Sequence, residues 1–147
     1  MNATANPAPG FKKHPDYRVE LRPSTAHIRV ELNGVTIADS SSVLEVTESS
    51  HRPVLYFPRK DVRSDLLSPS ETRTFCPFKG QASYWSASVE SREVADIAWS
   101  YEAPYDEVGA LAGYIAFYGD RVDRVIVDDV ALERVGPGWT GPRPEGL

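Results

Sequence analysis

His27-Ile28-Arg29-Val30-Glu31-Leu32 alternates strictly between polar and apolar side chains and runs straight into Asn33-Gly34. A period of two belongs to a strand with one buried face. Asn-Gly accepts the positive φ that a two-residue hairpin demands at both central positions. Val35-Thr36-Ile37-Ala38 then returns as the partner strand. Similar short β-prone runs recur along the chain. After a break at residues 40–42, Val43-Leu44-Glu45-Val46-Thr47 reads as a third strand. Val54-Leu55-Tyr56-Phe57 reads as a fourth, which Pro58 ends or pushes to a sheet edge. Residues 72–75 and 83–89 read as strands flanking a loop, with Tyr84, Ser86 and Ser88 on one face of the second. Tyr114 to Tyr118, a Gly119-Asp120 turn and residues 122–127 read as a closing hairpin.

Helix is sparse. Residues 61–67 allow one or two turns with Leu66 and Leu67 inward, stopped by Ser68-Pro69-Ser70. Asp106 can cap a short helix through Ala112, weakened by Gly109. Residues 95–101 fit either strand or helix. The sum is a mainly β chain, a single compact domain of short antiparallel strands in a barrel or tent-like complex sheet, with one or two short helices.

The chain has 147 residues, enough for one domain with a real core. Residues 1–16 and the Gly/Pro-rich residues 136–147 read as flexible tails around a domain at 17–135; Trp139 is a candidate clip onto the body. A formal net charge of −5 and the lack of any basic run argue against a nucleic-acid partner. No apolar run is long enough for a membrane span, and the start lacks the pattern of a signal peptide. A single cysteine excludes an internal disulfide. The expected setting is the cytoplasm. A homodimer stays open, because the 122–127 hairpin can pair across a two-fold axis.

The candidate chemistry centres on Thr74-Phe75-Cys76-Pro77-Phe78-Lys79-Gly80, with Tyr84 beyond it. A reactive cysteine needs a lowered pKa, which the cation of Lys79 can supply; Gly80 lets backbone approach a ligand closely. The alternative is a small buried hydrophobe in a tight turn. Cys76 lacks an obvious base: His14 and His27 sit elsewhere, and His51 in a turn is the one candidate partner. A zinc site from Cys76, His51 and Glu48 has no ligand spacing behind it, so neither a metal nor a cofactor is expected. In Tyr56-Phe57-Pro58-Arg59-Lys60-Asp61, Arg59 can clamp a carboxylate or phosphate, or pair structurally with nearby acids. Tyr56, Tyr84, Trp99 and Tyr101 combine apolar faces with polar handles suited to a small-molecule pocket or to a β core.

The order of these motifs resembles the domain of unknown function 427 family. It runs from Gly34 through Ala38-Asp39-Ser40, Glu48 and Tyr56 to Val62. It continues with Cys76-Pro77-Phe78-Lys79-Gly80, Tyr84, Trp99-Ser100-Tyr101, Pro104 and Ala116-Phe117-Tyr118. The resemblance covers roughly residues 19–127 and implies a compact, tent-like or barrel-like β domain. A nucleotidyltransferase-style label is sometimes attached to that family; this sequence shows no paired metal-binding Asp motif, and Asp128-Asp129 lies at the far end. Glu48, Tyr56, Arg59, Asp61, Cys76, Lys79, Gly80 and Tyr84 fall at the family's motif positions, without assigned roles.

Two functions follow as expectations. One is a metal-independent enzyme acting on a small polar or anionic metabolite. Arg59 and Lys79 would hold the anion, Glu48 or Asp61 would act as acid or base, Cys76 as nucleophile or proton donor, and Tyr84 as orienting donor. Tyr56, Gly80, Trp99 and Tyr101 would line the ligand. The other is a non-catalytic module that binds a small molecule or a protein.

Overall fold

The computed structural model describes residues 5–49 and 53–132, with the backbone of 134–135 and 138–139. One helical turn, α1 (Gly10–Lys13), precedes the strands β1 (Val19–Pro23), β2 (Ile28–Leu32), β3 (Val35–Ser40), β4 (Leu44–Glu48) and β5 (Val54–Pro58). There follow β6 (Leu67–Cys76), β7 (Gly80–Val89), β8 (Arg92–Ser100), β9 (Tyr114–Phe117), β10 (Arg124–Val127) and β11 (Val130–Ala131). A final pair, β12 (Arg134–Val135) and β13 (Gly138–Trp139), stands apart. The architecture is mainly β, as the alternation predicts. A seven-stranded sheet runs β1-β4-β5-β9-β8-β7-β6 and a four-stranded sheet β11-β10-β2-β3; all their pairings are antiparallel and neither closes into a barrel.

The Asn33-Gly34 hairpin forms as expected, with φ of 54° and 79° at the two positions. Its strands contribute Ile28, Val30, Leu32 and Ile37 to a core shared with Phe57, Ala87, Val89, Ile97, Ile115 and Phe117 of the larger sheet. The larger sheet also buries its other face. There Leu44, Val46, Tyr56, Ala82, Tyr84, Trp99, Tyr101 and Ala116 gather under Val108 and Leu111. Neighbours in sequence therefore serve opposite cores: Tyr56 and Phe57, or Ala116 and Phe117. A sheet buried on both sides is why these strands lack a clean polar alternation.

Several local expectations are corrected. The segment 114–127 is not a hairpin: β9 lies between β5 and β8, whereas β10 pairs with β2 and β11 in the other sheet. Because β10 has a neighbour on each side, it offers no free edge for the dimer contact expected of it. Of the readings left open, residues 95–101 resolve largely into β8, and Pro58 ends its strand, which is interior, and does not mark an edge. Two 3-10 turns, Arg59–Asp61 and Ser64–Leu66, replace the helix expected over 61–67. Residues 68–70 lie inside edge strand β6, where the donor missing from Pro69 is tolerated. Asp106 is the first residue of a 3-10 segment, Asp106–Leu111, not its cap; its carboxylate accepts from the Asn6 amide instead.

The N-terminal segment, expected to be loose through residue 16, is docked from Asn6 onward. Ala8 is buried and its amide donates to Glu107 Oε1 at 2.9 Å. Gly10 N donates to Pro77 O at 2.9 Å. A Cβ at Gly10 would lie 2.7 Å from the Phe78 ring, so this crossing needs glycine. Residues 6–17 thus form a strap over the β6–β7 turn. Trp139 belongs to β13, and its side chain lies outside the described residues. Among the described residues, no helix is long and apolar enough to cross a membrane.

Candidate functional site

The β6–β7 turn presents Cys76 and Lys79. Gly80 opens β7 at φ 120°, and a Cβ there would approach Ala103 O to 3.4 Å, so the turn fits closely under residues 103–105. Tyr105 N donates to Lys79 O at 3.0 Å, which fixes that layer. Lys79 is buried, and its ammonium forms an ion pair with Glu48 at the end of β4. Lys79 Nζ also lies 4.0 Å from Cys76 Sγ. Tyr17 completes the group by donating its hydroxyl to Glu48 Oε2 at 3.1 Å.

Burial makes this pair unusual. The side chains of Lys79 and Glu48 keep 4% and 9% of their exposure, so both charges are stripped of water and depend on each other. Outside them lies a cleft of about 570 Å3 lined by Lys13, His14, Pro15, Asp16, Tyr17, Ser49 and Phe78. The Tyr17 ring stacks on Phe78 at 4.0 Å between centroids, and Phe11 meets Phe78 edge-on at 5.0 Å. Tyr17 therefore links cleft and ion pair, lining the first with Phe78 while its hydroxyl reaches the second.

The aromatic residues Tyr56, Tyr84, Trp99 and Tyr101 share the core face that includes Cys76. Trp99 Nε1 donates to the Tyr56 hydroxyl at 3.1 Å. The Tyr84 hydroxyl lies 2.9 Å from Thr74 Oγ1 and accepts from Tyr118 at 3.3 Å. The Tyr101 hydroxyl is buried with no hydrogen-bond partner among the described residues. Burial, reinforced by neighbouring phenols and by Cys76, pushes the Tyr101 phenol well above its ordinary range. Burial likewise raises Tyr56 and Tyr118. These phenols stay protonated across the physiological range, and among the described residues Tyr118 is the one that donates, to the Tyr84 hydroxyl.

Two predicted site residues fall elsewhere. Arg59 stacks over Trp85 at 5.0 Å and pairs with Glu102; its Nη2 reaches Ser100 Oγ at 3.4 Å. Trp85 and Ser100 alternate with Tyr84 and Trp99 along their strands, so this group occupies the opposite face of the sheet. Asp61 accepts from Ser40 Oγ at 2.6 Å beside edge strand β3, in a separate depression of about 410 Å3 shared with Lys60 and Arg63. Neither joins Cys76. Of the histidines, His14 rims the cleft, His27 lies 2.5 Å from Asp39, and His51 lies outside the described residues.

Sequence reasoning missed Phe11 and Tyr17, set His14 aside, and gave Phe78 no role although it lies in the Cys76-Pro77-Phe78-Lys79-Gly80 motif. The visible signal was an aromatic ring every three residues, at 11, 14 and 17, in a segment otherwise polar. Among the described residues, no group of three or more His, Cys, Asp or Glu side chains converges as a metal site would require. Asp128 and Asp129 are turn residues with φ of 49° and 69° between β10 and β11; Asp128 accepts from the His27 amide.

The sequence profile of the domain of unknown function (DUF427) family matches residues 20–128, and the chain belongs to that family. No curated protein of the set compared matches it. The matched region contains Glu48, Cys76 and Lys79, whereas Tyr17 and the strap precede it.

Proposed function

We propose that this protein binds a small polar molecule at the cleft between the N-terminal strap and the β6–β7 turn, with the Glu48–Lys79 pair as its charged anchor. The observation that carries this reading is the burial of that ion pair directly behind Tyr17 and Phe78. Replacing a buried ion pair by well-packed apolar residues is often neutral or stabilising, so a fold gains little stability from keeping one. Its position beside a cleft favours a functional use. The anionic part of the sequence expectation loses its basis, since Arg59 and Lys79 are each paired with a carboxylate.

The test is an amide NMR titration of the full chain with small polar molecules of several classes, aliphatic and aromatic. Binding is expected to shift Tyr17, Ser49 and Phe78 together. Shifts for none of the classes, or shifts confined to other regions, would reject the site.

An enzyme reading is second, favoured by the 4.0 Å approach of Lys79 Nζ to Cys76 Sγ. In it, the Glu48 carboxylate accepts a proton from a substrate O–H and the Lys79 ammonium stabilises the oxyanion left behind. The alkylation rate of Cys76 against pH tests whether the thiol shares in that chemistry. A midpoint well below about 8.5 supports it, and a thiol that reacts only on unfolding removes Cys76 from the mechanism.

A further inference from the structure

A phenol already occupies the polar end of the candidate site. The Tyr17 ring lies flat on Phe78, its plane within 18° of parallel, and its hydroxyl donates to Glu48 Oε2. The side chain is gripped at both ends, by an aromatic face and by a carboxylate that also pairs with Lys79. Tyr17 is not part of the family-matched core, which begins at residue 20, whereas Glu48, Phe78 and Lys79 are. The strap that delivers it is held by a limited set of hydrogen bonds; beside Tyr17, Arg18 N donates to Ser49 Oγ and Ser49 N to Arg18 O, each at 2.9 Å. Asn6 N donates to Asp106 Oδ2 at 2.7 Å, Ala8 N to Glu107 Oε1 at 2.9 Å, and Gly10 N to Pro77 O at 2.9 Å.

We propose that Tyr17 is an internal stand-in for the ligand, and that the slot between Glu48 and Phe78 takes a small planar ring bearing a hydroxyl, a phenol being its simplest member, when the strap lifts. This deepens the binding site proposed above and rests on it. The Glu48 carboxylate accepts hydrogen bonds and cannot donate them while ionised, so the ligand group facing it must be a donor. Carboxylates and phosphates are thereby excluded from that position. Phe78 selects a flat apolar face, which stacking stabilises beyond simple area burial. A phenol, with a pKa of about 10, keeps its proton at neutral pH and fulfils both demands. Lys79 favours the negative charge that builds on the phenol oxygen as it donates.

The tether sets the scale of the competition. A side chain on a short flexible tether acts at an effective concentration on the order of millimolar, and the strap's own hydrogen bonds raise it, so a free phenol should displace Tyr17 only in the millimolar range or above. The wild-type chain is incubated with p-cresol or toluene under limited trypsin, which cuts after Lys12 and Lys13 of the strap. Cleavage is expected to accelerate several-fold with p-cresol, half-maximally in the millimolar range or above, and not with toluene. In the full-chain Tyr17→Ala variant, p-cresol should bind at least tenfold more tightly than to the wild type, again with toluene excluded. Equal binding of p-cresol and toluene would make the slot a plain apolar hole and overturn the inference. So would a lack of any p-cresol effect on wild-type cleavage, an outcome readable even if the variant fails to fold. In either case the cleft reading survives if other polar molecules still shift Tyr17, Ser49 and Phe78.

Discussion

Removing one partner of the buried ion pair should be among the most damaging single changes to this domain. In Lys79→Met the methylenes are largely replaced but the ammonium is lost, leaving the Glu48 carboxylate with 9% of its exposure and without its cation. Breaking a buried pair this way typically costs about 3–5 kcal/mol, because the remaining charge is neither hydrated nor paired. For a domain of roughly 150 residues that is a fall in Tm of about 6–20 °C. The double variant Glu48→Leu/Lys79→Met removes both charges, and should recover most of the loss. Urea unfolding of the wild type, both single variants and the double variant at pH 7 gives the coupling directly. A loss below about 1 kcal/mol in Lys79→Met would mean that water reaches the pair, as at an ordinary surface salt bridge. A double variant as unstable as the worse single variant would show that packing dominates over charge. Either result would refute the reasoning that makes this pair a functional anchor.

Three further outcomes follow from the same geometry. Tyr101→Phe deletes a buried hydroxyl that has no partner among the described residues, and should raise stability by about 1 kcal/mol in urea unfolding; a clear loss would show that the hydroxyl is hydrogen-bonded. Asp96 is held below its ordinary carboxylate range by the nearby Ser70 hydroxyl first and by Thr72, whose hydroxyl donates to it at 2.7 Å, against an opposing effect of burial. Its contribution is therefore complete above the unfolded value of about 3.9 and is lost as pH falls through the lower folded value. Asp96→Asn, at a φ of 50° that Asn tolerates, should flatten the fall in stability between pH 5 and 2, and an unchanged slope would contradict this. Gly10→Ala places a Cβ against the Phe78 ring and Pro77 O, and should speed tryptic cleavage after Lys12 and Lys13 with little change in the global urea midpoint; unchanged cleavage would mean the strap absorbs the methyl group.

Fold class was legible because its signals are local. Alternation in β2 and positive φ at Asn33-Gly34 depend on adjacent residues alone, and both appear as read. The order of strands was not legible. Gly119-Asp120 looks like a hairpin turn in isolation, but β9 and β10 each bury their apolar residues better in different sheets, and no adjacent pair of residues encodes that choice. Tertiary partners also made strand of residues 68–70, whose Pro69 has local preferences against it; only an edge position lets it pair with Trp85 without the missing donor mattering.

The same distinction governs the candidate site. Cys76, Lys79 and Gly80 lie together because one turn carries them, and Glu48 joins them through long-range pairing of its strand. Arg59 seemed a natural companion, being only three residues beyond Tyr56. A strand turns successive side chains to opposite faces, however, and the sheet that separates them is buried on both sides. Tyr56 therefore faces Trp99 while Arg59, after the 3-10 turn, stacks on Trp85 across the sheet. Two sets of motif residues thus divide between two faces: a neutralised Arg59–Glu102 pair on one, and the Glu48–Lys79 pair with its phenol on the other. A ligand held by both would have to pass through the sheet. The binding role proposed for this domain therefore rests on the face that combines a cleft, a buried charge pair and an aromatic platform, the face over which the strap lies.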